Sequence, residues 1–327
     1  MLVVMQAGAS ENEISEVSNY LIGKGLQTEL LPGSNRVAIG VTGNKKYVSH
    51  DEVNRMPGVK EIIHVTHKYK RVSREFYPEN TIVKVGEAAF GSGIPGIIAG
   101  PCSVESKEQI RLAAEHVKKL GGHVLRGGVF KPRTSPYDFQ GIGHKGMQWM
   151  KDAGEEFNIP ICVEIMSVRD IDFFNENVDM IQVGARSMQN FDLLKELGQL
   201  KKPILLKRGM SALVDEFLLA AEYIIDGGNK EVVLCERGIR TFETSTRNIL
   251  DLNSVALIKK KSHLPIIVDP SHAAGKHDLV LPLAKAGLAV GADGIIVETH
   301  PEPMAALSDA NQQLDFKQFE EFMKGIQ

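Results

Sequence analysis

Residues 204–238 read ILLKRGMSALVDEFLLAAEYIIDGGNKEVVLCERG, and this stretch decides the fold. It opens on the apolar run Ile204-Leu205-Leu206, passes through an amphipathic segment from Ser211 to Ile225, and returns to Val232-Val233-Leu234. Both runs are continuous rather than alternating, as strands buried on two faces require, and the segment between them has helical spacing. The same unit recurs outward in both directions. Comparable runs stand at Ile97-Ile98-Ala99, His123-Val124-Leu125, Ile161-Cys162-Val163, Met180-Ile181-Gln182-Val183, Ile266-Ile267-Val268 and Gly294-Ile295-Ile296-Val297, with helical segments such as Lys107 to Leu120 between them. Eight βα units predict an α/β chain folded as a (β/α)8 barrel over residues 96–327. The competitor is an open doubly wound sheet, which normally has fewer strands. It would also need a G-x-G-x-x-G phosphate loop after its first strand, and the chain has none there.

The first 68 residues follow another pattern. Leu2-Val3-Val4-Met5 is a short strand, and Ser10 with Glu13 three residues on forms a capping box for a helix carrying Ile14, Val17, Tyr20 and Leu21. Gln27 to Leu31 and Arg36 to Val41 alternate like hairpin strands around Pro32-Gly33-Ser34-Asn35. A short helix spans Ser49 to Arg55, and Val59 to Val65 is a last strand. The order βαββαβ predicts a small ferredoxin-like domain. It carries no catalytic constellation and reads equally as a docking or oligomerisation module and as a regulatory one. Residues 69–95 read as a connector with a hairpin under the barrel.

Composition sets the outer bounds. The 327 residues carry 38 Lys+Arg and 41 Asp+Glu, a formal net charge of −3, with 43% apolar and 24% charged residues. That balance belongs to a globular chain and argues against nucleic-acid or anionic-membrane binding. No stretch reaches the roughly 18–20 apolar residues of a membrane span, and the first residues lack a signal-peptide pattern. Cys102, Cys162 and Cys235 are odd in number and lie in apolar runs, so a reducing cytoplasm is the expected home.

Barrel enzymes work at the C-terminal ends of their strands. Those ends deliver Arg126, Arg186, Lys207 and Arg237, and Lys131 and Arg133 follow on the second loop. Cations converging on one mouth repel unless anions sit among them, and Arg suits bidentate phosphate or carboxylate. More than one anionic group is expected in the ligands. A second constellation, Cys102, His272 and Glu298, falls on strands one, seven and eight, which are neighbours in a closed barrel. Thiolate, imidazole and carboxylate suit one borderline divalent ion such as Mn, Fe, Co or Zn. Asp309, eleven residues beyond Glu298, reads either as a fourth ligand or as an ordinary loop acid.

At these residues the chain resembles a known family. Ala99-Gly100-Pro101-Cys102-Ser103, Lys131-Pro132-Arg133-Thr134-Ser135, Val183-Gly184-Ala185-Arg186, Leu206-Lys207-Arg208-Gly209, Cys235-Glu236-Arg237-Gly238, Asp269-Pro270-Ser271-His272 and Ala306-Leu307-Ser308-Asp309 resemble the motifs of 3-deoxy-D-arabino-heptulosonate 7-phosphate (DAHP) synthases. The form resembled is type I beta, with an N-terminal ferredoxin-like domain. The resemblance implies condensation of phosphoenolpyruvate with erythrose 4-phosphate, releasing phosphate, at the entry to the shikimate pathway and aromatic amino acid biosynthesis. It assigns Arg126, Lys131, Arg186, Lys207 and Arg237, beside Ala185 and Asp269, to phosphoenolpyruvate. Pro132, Arg133, Thr134 and Ser135 fall to erythrose 4-phosphate, and Cys102, His272, Glu298 and Asp309 to one divalent metal. Lys131 is then an acid for the developing alkoxide, and Glu164 a candidate to activate the attacking water. The chain departs from the pattern at Ala310, where Gly is usual. The resemblance also implies feedback by an aromatic amino acid, Tyr or Phe, and a homo-oligomer, commonly a tetramer.

Three rival readings are open to the same residues. The sister enzyme, 3-deoxy-D-manno-octulosonate 8-phosphate synthase, typically has Lys-Ala-Asn-Arg where this chain has the shorter Lys131-Pro132-Arg133. A Schiff-base aldolase would use Lys207 as nucleophile and need no Cys102 or His272 ligand. A non-catalytic sensor would keep the cations without needing the complete metal set.

Overall fold

The computed structural model describes residues 1–33, 36–43, 48–63 and 68–326, in two compact units, Met1–Pro78 and Glu79–Gln327. The expected turn at Ser34-Asn35 and the expected strand end at 64–65 lie outside the described residues.

The first unit runs β1 (Leu2–Met5), α1 (Glu11–Gly23), β2 (Gln27–Pro32), β3 (Val37–Thr42), α2 (His50–Asn54) and β4 (Val59–Ile63). Its antiparallel sheet has the order β2-β3-β1-β4, the ferredoxin-like arrangement. The capping box starts α1: Ser10 Oγ accepts from Glu13 N at 3.3 Å, and Glu13 Oε2 accepts from Ser10 N at 2.7 Å. Residues 69–78, which read as connector, are grouped with this unit. Phe76 explains why: it is buried against Leu2 and Leu31, over Gly40, where any Cβ would lie 2.1 Å from the ring. Arg71 also pairs with Glu29 of β2.

The second unit opens with the hairpin β5 (Val83–Val85) and β6 (Ala88–Phe90). Eight parallel strands follow: β7 (Gly96–Gly100), β8 (Val124–Arg126), β9 (Ile161–Ile165), β10 (Met180–Val183), β11 (Ile204–Lys207), β12 (Val232–Glu236), β13 (Ile266–Val268) and β14 (Gly294–Glu298). The helices are α3 (Lys107–Lys119), α4 (His144–Glu156), α5 (Ile171–Asn177), α6 (Phe191–Gly198), α7 (Val214–Asp226), α8 (Leu252–Lys261), α9 (Pro270–Ala274), α10 (Val280–Ala289) and α11 (Phe316–Ile326). The strands close into one barrel through β14 and β7, paired from Gly294↔Gly96 to Glu298↔Gly100. An open sheet is therefore excluded. Helix α7 starts later than the Ser211 of the sequence reading. Residues 209–212 form a turn held by Ala212 N on Gly209 O (3.1 Å) and Arg208 Nε on Ala212 O (3.0 Å).

The hairpin plugs the barrel's N-terminal end. Val83, Val85, Ala88 and Phe90 share a buried cluster with Ile98, Val124, Leu205, Val233, Ile267 and Ile296. Gly96 makes room for the plug, because a Cβ there would lie 2.4 Å from the Phe90 ring. With that end filled, the opposite rim is left for chemistry. Among the described residues no helix is long and apolar enough to cross a membrane.

Phe90→Ala should lower the stability of this unit by about 3–5 kcal/mol, the usual cost of a large cavity in a core. Urea denaturation checks this, and an unchanged midpoint would show that the hairpin does not support the barrel.

Candidate active site

The strand-end residues meet in one cavity at the C-terminal rim. Its walls include Lys131, Pro132, Arg133, Thr134, Glu164, Ala185, Arg186, Lys207, Arg237, His272 and Asp309. Local folding explains each placement. The loop after β8 is folded by Lys131 N on Gln140 O (2.9 Å) and Arg133 Nε on Phe139 O (3.0 Å), which turns both side chains inward. Glu164 stands near the end of β9, holding Gln182 Nε2 at 2.8 Å. Gly184 gives its carboxylate space, since a Cβ there would lie 2.0 Å from Glu164 Oε1.

Not every expected residue faces the cavity. Ser135 is a turn residue whose hydroxyl accepts from Tyr137 N at 3.2 Å. Asp269 lies behind the wall, with Oδ2 2.5 Å from Lys207 Nζ. Its same oxygen stands 2.8 Å from His272 Nδ1, at ion-pair distance but off the line of a hydrogen bond. Burial pulls the Asp269 carboxyl up, but His272 and Lys207 outweigh it and leave it well below the usual range. Arg126 is fully buried and pairs with Glu298. Arg208, next to Lys207, turns away from the mouth to Glu236 (2.8 Å) and Asp251 (2.9 Å).

The unpartnered nitrogens are informative. Arg133 Nη2 and Arg237 Nη1 are buried with no hydrogen-bond partner, as is Arg126 Nε. A buried guanidinium nitrogen left unmade is costly, and an anion in the cavity would satisfy it.

Deeper in, Cys102, Glu298 and Asp309 bring one donor atom each to within 4.8 Å of one another, a group able to hold a metal ion. His272 Nε2 reaches two of the three, 3.5 Å from Glu298 Oε1 and 3.9 Å from Asp309 Oδ2. Its Nδ1 has the Asp269 carboxylate 2.8 Å away, the kind of neighbour that a ligating imidazole usually has, without the aligned hydrogen bond. Burial lowers the His272 pKa, which favours the neutral ring that a metal needs. Burial raises Glu298, but His272, Arg126 and Lys131 overcome it, so the carboxylate is held low. Burial and the Glu298 charge push the Cys102 thiol up to about 12. Lys131 Nζ donates to both Cys102 O and Sγ at 3.0 Å. One thiol, one imidazole and two carboxylates fit a borderline divalent ion.

Sequence reading missed Arg240, Arg247 and Asn248, which also line the cavity. They lie on the loop after β12, beyond Gly238, where the strand-end inspection stopped. The reach that found Lys131 and Arg133 past β8 would have found Arg240. Ser308, within the motif that ends at Asp309, stands 3.2 Å from Cys102 Sγ, while Gln312 carried no signal.

Comparison with known proteins agrees with this geometry. The sequence model of the DAHP synthetase I family matches residues 78–327, and that of the DAHP synthase ferredoxin-like domain matches residues 1–67. A phospho-2-dehydro-3-deoxyheptonate aldolase of Thermotoga maritima is 47% identical over 324 residues, covering 99% of this chain and 96% of the relative. A crystal structure of the Thermotoga maritima phospho-2-dehydro-3-deoxyheptonate aldolase (DAHP synthase) matches with a TM-score of 0.78 at 47% identity. It covers 99% of this chain and 95% of that one. A truncated 3-deoxy-D-arabino-heptulosonate 7-phosphate synthase from the same organism matches with a TM-score of 0.72 at 49% identity, covering 77% of this chain and 93% of that one. A 2-dehydro-3-deoxyphosphooctonate aldolase of Fusobacterium nucleatum is more distant, 30% identical over 74% of this chain and 93% of the relative.

Lys207→Met should destabilise the second unit by about 3–5 kcal/mol, because it leaves the buried Asp269 carboxylate without its cation. Thermal unfolding checks this. A variant as stable as the parent would show that the pair is not a structural element.

Proposed function

The chain belongs to the DAHP synthetase I family and is an enzyme of its transferase type, and from that premise we propose how its own residues run the reaction. Phosphoenolpyruvate and erythrose 4-phosphate condense in the rim cavity, giving DAHP and inorganic phosphate. The observation that carries this reading is the pair of unpartnered buried guanidinium nitrogens, on Arg133 and Arg237, in a cavity that borders the metal-type group.

Arg126, Lys131, Arg186, Lys207 and Arg237 hold phosphoenolpyruvate, with Ala185 in the cavity wall and Asp269 fixing Lys207. Pro132, Arg133 and Thr134 receive erythrose 4-phosphate, Arg133 on its phosphate, and Ser135 supports the turn. Cys102, His272, Glu298 and Asp309 would hold one divalent ion, of the Mn, Fe, Co or Zn type, which supplies Lewis-acid polarisation of the aldehyde. C3 of phosphoenolpyruvate attacks that carbon, and Lys131 gives a proton to the developing alkoxide. Water adds at C2, and Glu164, in the cavity wall, takes its proton. Phosphate then leaves by C–O cleavage, its charge met by cations already in place.

The rivals fit less well. Lys207 Nζ is spent on Asp269 at 2.5 Å, which ill suits a free amine nucleophile. The four-residue sugar loop of the sister enzyme is one residue longer than Lys131-Pro132-Arg133. A sensor has no use for a four-donor metal set beside the anion site.

The N-terminal unit is read as a feedback module for Tyr or Phe within a homotetramer. The cytoplasmic setting rests on the three unpaired, buried cysteines.

Two experiments test these readings. Purified enzyme should turn over phosphoenolpyruvate with erythrose 4-phosphate, lose activity in EDTA and regain it with a divalent ion. Cys102→Ser should fall at least about 100-fold, since even outer-sphere changes cost 10- to 100-fold. Turnover of arabinose 5-phosphate instead, or activity surviving EDTA, would overturn the assignment. Separately, a chain lacking residues 1–78 should keep the condensation and lose inhibition by Tyr or Phe. Inhibition unchanged by the deletion would remove the regulatory role.

A further inference from the structure

Behind the metal-type group lies a side chain that no motif singled out. Gln312 is 2% exposed and belongs to a single turn, 310–312, that follows Asp309. Its Nε2 donates to Glu298 Oε2 at 2.5 Å and to Asp309 Oδ2 at 3.4 Å. Its Oε1 accepts from Arg247 Nη1 at 2.9 Å. The amide therefore has only one sensible orientation. Flipped, it would set a carbonyl oxygen against two carboxylates and an NH2 group against a guanidinium. Arg247 fixes the orientation, and its Nη1 also stands 3.4 Å from Asp309 Oδ2.

We propose that Gln312, locked by Arg247, is a positioning residue that holds the Glu298 and Asp309 carboxylates in the spacing a divalent ion requires. This rests on the reading of Cys102, His272, Glu298 and Asp309 as the metal cage. Two carboxylates facing one site repel, and Asp309 sits on a left-handed backbone (φ 51°) that few residues other than glycine adopt. One amide NH2 bridging both offsets part of that repulsion and adds no charge of its own to the Arg126 and Arg247 guanidinium groups already beside them. The Arg247 charge is kept on the far side of the amide from Glu298. Arg247 lines the substrate cavity, so the same contact joins the loop after β12 to the cage.

The test is direct titration of the full-length enzyme with Co(II), followed in the visible spectrum. Bound cobalt reports a thiolate ligand by charge-transfer bands and its geometry by d–d bands. Gln312→Met, close in shape but unable to donate, should bind Co(II) about 10- to 100-fold more weakly. Its d–d bands should shift while the thiolate band remains. Arg247→Met, at a partly exposed side chain, should shift the same d–d bands with a smaller loss of affinity. It carries the test alone if Gln312→Met does not fold by circular dichroism. Parental affinity and spectra in the folded variants would overturn the positioning role and leave the cage standing. Failure of the parent enzyme to bind Co(II) through a thiolate would overturn the cage, and the proposal with it.

Discussion

Everything at the rim depends on the pairing of β14 with β7. This ladder turns an eight-strand ribbon into a closed barrel, and its register ends with Glu298 opposite Gly100. Cys102 follows two residues later, so closure alone brings thiol and carboxylate together from positions almost 200 apart in sequence. The pairing needs close backbones. A Cβ on Gly294 would lie 2.3 Å from Gly96 O, and on the other side of β7 one on Gly100 would lie 2.1 Å from Arg126 O of β8. Gly100 also has φ +148°, a conformation that side chains disfavour. Glycine at these points is a packing requirement, and the metal-type group of Cys102, Glu298 and Asp309 is built on the strands so joined. The hairpin beneath adds Phe90 against Gly96, so the same edge is fixed from below.

How much of this was legible in sequence follows from which interactions are local. The strands were readable because burial on both faces forces continuous apolar runs. The strand-end residues were readable because a barrel aims them all at one rim. Side chains whose surroundings are set by loops were not readable. Asp269 has the position of a rim residue, yet Lys207 and His272 draw it behind the wall. Ser135 has the motif of a substrate contact but spends its hydroxyl on Tyr137 N. Arg247 and Gln312 meet across 65 residues of chain, and no period or spacing encodes that meeting. Phe76 is similar. Its role appears only when Gly40 is seen to leave a hole of its shape, and that contact is what groups residues 69–78 with the first unit.

The net charge of −3 conceals a division of labour among the cations. Those on strand ends nearest the core are neutralised internally: Arg126 by Glu298, Lys207 by Asp269, Arg208 by Glu236 and Asp251. Such pairs contribute little net stability, because desolvation consumes most of the Coulombic gain. They do fix geometry, since each side chain has a single low-energy place. Among the described residues Arg133 and Arg237 pair with no carboxylate, and each keeps a buried nitrogen without a partner, as Arg126 does at Nε. For Arg237 the strain registers as a guanidinium pulled down by burial, with Asp269 only partly compensating. A fold that pairs three neighbouring cations with carboxylates, and leaves these two unpaired, has not run short of acids. It keeps positive charge unspent in the rim cavity, where anionic groups would satisfy it. The internal pairs hold that unspent charge in position, so that little reorganisation remains when the anions arrive.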